Sequence, residues 1–291
     1  MVTVRALYEF AKASLAQCAD DAAAFEADCL CEDILMINRT QRLIAPETEI
    51  PEDREGRFRD AVSRRKDGYP LQYILGRWEF CGFPFKVGEG VLIPRPETEI
   101  LVDAVYQRMQ HRCSKRIVDL CAGSGAIAVS LRKLLPDSKV FAVEISGDAM
   151  PYLSENCRMN GADVTIIRGD VCDGRILQNF ADPDSPGDYV KLDCIVSNPP
   201  YVTSKEMTEL QKEVTFEPKT ALDGGTDGLN FYRIITMLWK GLLSDNGIMA
   251  FECGAGQADA VSGIMTQAGF VNVDTICDLA GIRRVVVGIN G

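Results

Sequence analysis

The chain has 291 residues, enough for two domains each with a core of its own. Hydrophobic residues make up 46% and charged residues 25%, an ordinary globular balance, and no apolar stretch approaches the roughly 18–20 residues of a membrane span. The net charge of −11 argues against a nonspecific nucleic-acid binder, whose affinity comes mainly from neutralising phosphates, although Arg64-Arg65-Lys66 is a local basic run.

Residues 1–10 carry Arg5 and Glu9 and lack the apolar core of a signal peptide, so a cytoplasmic protein is expected. The odd count of 11 Cys with no CxxC pair then reads as reduced, mostly buried thiols, with no metal site expected. Residues 1–75 read as a helical bundle. Val4, Leu7, Tyr8 and Ala11 share one helix face, and Ala27, Leu30, Ile34 and Leu35 share another. Pro46 and Pro51 interrupt the pattern, and a third helix is predicted over 52–66. From 76 to 94 the period changes to two. Trp78 and Phe80, then Phe83, Phe85 and Val87, alternate about Cys81-Gly82, which predicts a β-hairpin linking two domains. Pro94-Arg95-Pro96 stops it. Pro96, with Glu97 and Glu99 near a positive helix end, starts a helix that turns Ile100, Leu101, Ala104 and Val105 inward.

The rest of a second domain, 95–291, alternates strand and helix. Apolar runs at 116–121, 139–144, 164–168, 192–197 and 247–252 are separated by helical or loop segments, the pattern of parallel crossovers. Runs at 271–277 and 283–289 are joined by five residues, too few for a crossover, and must pair antiparallel. The α/β fold class therefore resembles a seven-stranded, Rossmann-like methyltransferase sheet with an antiparallel last strand, carrying a small N-terminal helical domain. The one histidine, His111, falls in a polar loop, which leaves little for a Ser-His-Asp or Cys-His mechanism. Residues 182–188 form an acidic loop inside a long segment, 172–191, to which no role attaches.

Two constellations carry chemistry. Asp119-Leu120-Cys121-Ala122-Gly123-Ser124-Gly125-Ala126 is a strand end, a glycine turn and a helix start. Gly123 and Gly125 allow a tight turn and close approach of a ligand to the backbone. Gly-x-Gly-x-x-Ala alone fits a dinucleotide fingerprint as well, and Glu144, ending the next strand, suits a ribose hydroxyl in either case. Asp119 suits an ammonium group and offers nothing to a pyrophosphate, and Asp170 suits an adenine amine. The second constellation is Asn198-Pro199-Pro200-Tyr201, straight after a buried strand. Two prolines stiffen this backbone and hold Asn198 extended. The Asn198 side-chain oxygen and the Pro199 carbonyl can then accept both hydrogens of a planar –NH2 group, with Tyr201 against its flat face. An amide or an exocyclic base amine would fit, so a methyltransferase acting on adenine in DNA or RNA is the rival reading.

The chain resembles the peptide chain release factor glutamine methyltransferases over nearly its whole length. The resemblance rests on Pro70-Leu71-Gln72-Tyr73-Ile74-Leu75-Gly76, Phe80-x-Gly82-x-x-Phe85, Val91-Leu92-Ile93-Pro94-Arg95-Pro96-Glu97-Thr98-Glu99, the glycine loop and Asn-Pro-Pro-Tyr. It continues through Glu217-Pro218, Ala221-Leu222-Asp223-Gly224-Gly225-x-Asp227-Gly228-Leu229 and Glu252-x-Gly254-x-x-Gln257. It implies methyl transfer from S-adenosylmethionine to the glutamine of the Gly-Gly-Gln loop of class I release factors, with no direct nucleic-acid partner and no membrane. It further implies that Cys121, Ala122, Gly123, Ser124, Gly125, Glu144, Asp170, Val171 and Asn198 hold S-adenosylmethionine, and that Asn198, Pro199, Pro200 and Tyr201 take the glutamine. In such enzymes the positions of Cys121, Glu144 and Val171 are more often Gly, Asp and a larger residue. The N-terminal domain is expected to dock the protein substrate.

Overall fold

The computed structural model describes residues 2–16, 18–113 and 115–291; Met1 and Gln17, within the predicted bundle, and Ser114 lie outside the described residues. The N-terminal elements are β1 (Val2–Thr3), α1 (Val4–Leu15), α2 (Ala23–Leu30), α3 (Arg39–Ile44), β2 (Glu49–Ile50), α4 (Glu52–Lys66) and α5 (Leu71–Leu75). Helix α1 buries Val4, Leu7, Tyr8, Ala11 and Leu15, the face its periodicity predicts, and Thr3 caps it by accepting the Ala6 N–H. Helix α2 runs on into a π turn, Cys31–Leu35, so Ala27, Leu30, Ile34 and Leu35 all face inward. Helix α4 has the predicted bounds, with acids in its first turn and bases in its last, as its dipole favours.

Contacts divide the chain into two compact units, 1–77 with 211–216, and 78–210 with 217–291. The sequence assigned 211–216 to the second domain. In the first unit, Glu213 reaches Arg65 at 3.1 Å and the Phe216 ring meets Tyr69 edge-on at 5.1 Å. Arg65 also donates two bonds to Glu26, at 2.7 and 2.9 Å, and is 4% exposed. It is therefore a buried, paired cation and not part of a basic surface patch.

The hairpin β3 (Arg77–Phe80) and β4 (Phe83–Lys86) belongs, from Trp78 on, to the second unit. Cys81 and Gly82 both have positive φ, 51° and 75°, as a two-residue hairpin turn requires. The hairpin is not a free-standing linker, since Phe80 and Phe85 are fully buried in one of the two main apolar clusters of this unit. There follow α6 (Pro96–Met109), β5 (Arg116–Leu120), α7 (Ala126–Leu134), β6 (Lys139–Glu144), α8 (Met150–Met159), β7 (Val164–Arg168) and β8 (Leu192–Ser197). The last elements are α9 (Asn230–Trp239), β9 (Leu243–Glu252), α10 (Ala258–Gln267), β10 (Phe270–Cys277) and β11 (Arg283–Asn290). The seven-stranded sheet has the order β10-β11-β9-β8-β5-β6-β7. Strands β5 to β9 pair parallel, and β11 is antiparallel to both β9 and β10. From central β5 the chain runs outward through β6 and β7, then returns to β8 on β5's other side. That reversal opens a crevice at the carboxyl ends of β5 and β8, where open α/β sheets bind ligands. Among the described residues, no helix is long and apolar enough to cross a membrane.

Candidate functional site

A cavity of about 440 Å³ lies at that reversal. Much of its wall comes from the residues that follow four parallel strands: Cys121 to Ser124 after β5, Glu144 to Ser146 at the end of β6, Gly169 to Cys172 after β7, and Asn198 with Pro200 after β8; the rest includes Gly90 to Arg95, Thr98 and Pro218. Of the sequence-predicted residues, Cys121, Ala122, Gly123, Ser124, Glu144, Asp170, Val171, Asn198 and Pro200 line it. Gly125, Asp119, Pro199 and Tyr201 do not.

The glycine loop is built by backbone conformation. Cys121, Gly123 and Gly125 have φ of 62°, 54° and 81°, which explains why glycine suits the Cys121 position. A Cβ on Gly123 would meet nothing within 4 Å, so the cavity stays open above the loop. A Cβ on Gly125 would stand 2.5 Å from Leu153 Cδ1, so this glycine serves the packing of α8 against the loop. Gly125→Ala is expected to cost about 2–3 kcal/mol, from left-handed strain and overpacking together. A urea midpoint equal to that of the wild type would show that Leu153 yields without cost. Glu144 is buried and accepts two main-chain bonds, from Gly123 N–H and Ser146 N–H, each 2.7 Å. It ties the first loop to the second and presents its remaining lone pairs at the cavity wall. Asp170 accepts the Cys172 N–H at 2.8 Å through Oδ1, which fixes the third loop. The carbonyl of Val171 accepts Trp239 Nε1–H at 2.9 Å, so fully buried Trp239 of α9 anchors that loop from below.

Asp119 is not among the residues that line the cavity. It is fully buried beneath the loop, where its Oδ2 accepts the Ala128 N–H at 3.1 Å in the first turn of α7. Burial pushes its pKa well above the usual carboxylate range. Through Oδ2 the carboxylate splints strand to helix, while its buried Oδ1 has no partner among the described residues.

Asn198 is held from two other elements. Its Nδ2 donates to Thr98 Oγ1 at 3.2 Å, in the first turn of α6, and Thr98 Oγ1 is 2.6 Å from Glu252 Oε2 at the end of β9. No described residue donates to Asn198 Oδ1 or to the Pro199 carbonyl. Tyr201, like Pro199, is not among the residues that line the cavity. Its ring packs against the cluster that holds Tyr232 and Phe251 rather than forming cavity wall, and a Cβ on Gly254 would come 3.1 Å from its Cδ2. The chain beyond it is pinned by the glycine-rich turn after residue 222. Val202 N–H donates to Leu222 O and Gly224 N–H to Val202 O, both 2.8 Å. A Cβ on Gly224 would stand 2.7 Å from Tyr201 Cα, so only glycine lets the two backbones meet.

Sequence reasoning left Thr98, Glu217 and Glu252 without roles, although each lies in a quoted motif. Glu217, 3% exposed, pairs with Arg95 and accepts the Ile93 N–H at 3.0 Å. This closes the cavity rim between Arg95 and Pro218. Arg95 thus helps to form the wall through an ion pair rather than merely starting a helix.

Sheet order, glycine loop and Asn-Pro-Pro-Tyr clamp together define a Rossmann-like methyltransferase. Residues 6–76 match the model of the PrmC N-terminal domain, and residues 96–226 match that of the methyltransferase small domain. A release factor glutamine methyltransferase of Thermodesulfovibrio yellowstonii is 38% identical over 90% of this chain and 91% of its own length. That of Geobacter sulfurreducens is 37% identical over 98% and 96%. A methyltransferase structure from Pyrococcus furiosus superposes with a TM-score of 0.51 at 15% identity, covering 83% of this chain and all of that one, which shows a shared fold. The chain belongs to the release factor glutamine methyltransferase family.

Proposed function

We propose that this protein transfers a methyl group from S-adenosylmethionine to the side-chain amide nitrogen of the glutamine in the Gly-Gly-Gln loop of class I release factors, in the cytoplasm. The observation that carries the reading is the pair of unspent acceptors, Asn198 Oδ1 and the Pro199 carbonyl, adjacent in a proline-stiffened chain beside the cavity. An amide –NH2 has two hydrogens to give, and two fixed acceptors orient its plane.

The cavity suits S-adenosylmethionine. Space is open above Gly123, Glu144 stands ready for the ribose, and Asp170 with Val171 stands ready for the adenine. Once bound, S-adenosylmethionine supplies a methyl already activated on a sulfonium. The protein's task is to orient a poor nucleophile, whose lone pair is delocalised into its carbonyl. Asn198 Oδ1 and the Pro199 carbonyl, by accepting both amide hydrogens, favour a pyramidal nitrogen. Positive charge growing on that nitrogen strengthens both bonds, so they hold the transition state more tightly than the ground state. The proton can leave to water, and no histidine is needed. The first unit supplies none of the described cavity residues, and its role is to grip the release factor away from the glutamine loop.

The test is incubation with methyl-labelled S-adenosylmethionine and a class I release factor, with mapping by mass spectrometry. Label is expected on the amide of the Gly-Gly-Gln glutamine, with the full-length factor a far better substrate than a short loop peptide. Label appearing instead in nuclease-sensitive material from a lysate would overturn the reading in favour of base methylation.

A further inference from the structure

We propose that Thr98 and Glu252 are positioning residues that set which way round the Asn198 amide stands, Glu252 acting through the Thr98 hydroxyl. The inference rests on the functional reading above and adds two residues to its machinery. Three elements converge here: Asn198 after β8, Thr98 in the first turn of α6, and Glu252 at the end of β9. Thr98 and Glu252 are both buried, 4% and 2% exposed, in a place where an unmatched polar group is costly.

The logic is a count of hydrogens. An ionised carboxylate only accepts, so the Thr98 hydroxyl, 2.6 Å away, must donate its single hydrogen to Glu252. Thr98 Oγ1 can then only accept from Asn198, so the –NH2 end of Asn198 must face it at 3.2 Å. Oδ1 is thereby turned the other way, free to accept from a substrate amide. A protonated Glu252 can donate to Thr98 instead. The Thr98 hydrogen is then free to point at Asn198, and the amide can stand reversed, offering –NH2 to a substrate that has only N–H to give. A donor facing a donor cannot hold the substrate nitrogen.

Burial raises Glu252 to about 7, so the switch in its charge falls in the working pH range. The charged and titratable groups around it are Glu97 and Arg95 flanking the start of α6, Arg284 on β11, Tyr201 beyond β8, Tyr232 on α9 and Cys253 next in the chain. Glu97 pushes Glu252 upward, while the Thr98 bond, Arg284 and Arg95 pull it down. Tyr201, Tyr232 and Cys253 have their own pKa values raised by burial and stay neutral through this range.

The test is kcat at saturating S-adenosylmethionine and release factor, followed from pH 5.5 to 9, with the methylated glutamine mapped. The wild type is expected to lose turnover as pH falls through about 7. Thr98→Val, similar in shape but without the hydroxyl, should lower kcat about tenfold or more at pH 8, the scale of orphaning a buried donor. Its Kd for S-adenosylmethionine should be unchanged, and Thr98→Ser should restore turnover to within a few-fold of the wild type. Glu252→Gln should abolish the acid limb, because its side chain does not titrate. Wild-type kcat in Thr98→Val, an acid limb that persists in Glu252→Gln, or a flat wild-type profile would each overturn the relay while leaving glutamine methylation standing. Wild-type enzyme that puts no methyl on that glutamine would overturn both.

Discussion

Asn198→Ala is expected to cut turnover by at least ~10²-fold while leaving S-adenosylmethionine affinity within a few-fold of the wild type. That loss corresponds to about 3 kcal/mol, the scale of removing one preorganised group that stabilises transition-state charge. Asn198 Oδ1 is free of any described donor, so the side chain is not spent on holding the fold together. Its one bond, to Thr98, is peripheral to the strand ladders, so alanine should leave the sheet intact. Asn198→Asp is a sharper probe. Aspartate can accept from substrate, but it cannot donate to Thr98, and it would set a second carboxylate across one hydroxyl from Glu252. Thr98 has a single hydrogen for two acceptors, so Asp should recover little of the lost turnover. Calorimetry with S-adenosylmethionine, paired with labelled-methyl turnover, checks both variants. Alanine turnover near that of the wild type would remove Asn198 from the chemistry.

The central strands were legible in the sequence because they are covered on both faces. Parallel strands of that kind read as continuous apolar runs, as β6 and β8 do, and the edge strand β7 also has the predicted bounds. Helix α3 was not legible, because it buries no residue and leaves no apolar stripe to read; its Asn38–Gln41 capping box is the only local sign. Residues 211–216 carry no pattern that would assign them to the first unit. Their place depends on Arg65 finding Glu213, which is a tertiary event.

The site divides in the same way. Glycines and prolines state what the backbone must do, so the loop at 123–125 and the clamp at 198–200 could be read directly. A carboxylate does not announce its target. Asp119 reads as a ligand contact, and nothing in its spacing foretells that one of its oxygens takes the Ala128 N–H nine residues on. Thr98 and Glu252 are 154 positions apart, and nothing in one-dimensional spacing predicts a shared hydroxyl hydrogen. Tyr201 was assigned a face against the substrate on chemical suitability alone. In the structure, close approach of Gly224 and Gly254 directs that part of the chain into an apolar cluster.

Glu144→Gln is expected to weaken S-adenosylmethionine binding by roughly 30-fold or more, about 2 kcal/mol, with kcat at saturating cofactor kept within a few-fold. The substitution keeps size and shape and is still not conservative. Both Glu144 oxygens accept main-chain hydrogens, Oε2 from Gly123 and Oε1 from Ser146. Glutamine has one oxygen and one –NH2, so whichever way it stands, one main-chain N–H faces another donor. That N–H either goes unsatisfied or moves, and it belongs to a loop that lines the cavity. The proposed ribose contact would also lose the charge that strengthens hydrogen bonds from hydroxyls. Alanine loses both acceptor bonds and opposes neither N–H with a donor, whereas glutamine keeps one bond and opposes the other, so Gln should recover little of the affinity that Ala loses. Isothermal calorimetry on the three proteins checks the order. Glutamine binding as tightly as glutamate would mean that the carboxylate neither ties the two loops together nor meets the ribose. The Asn198 and Glu144 variants should thus separate, one losing turnover with affinity kept and the other losing affinity with turnover kept. That separation is what the proposed division of the cavity requires, with the methyl donor held after β5 to β7 and the amide after β8.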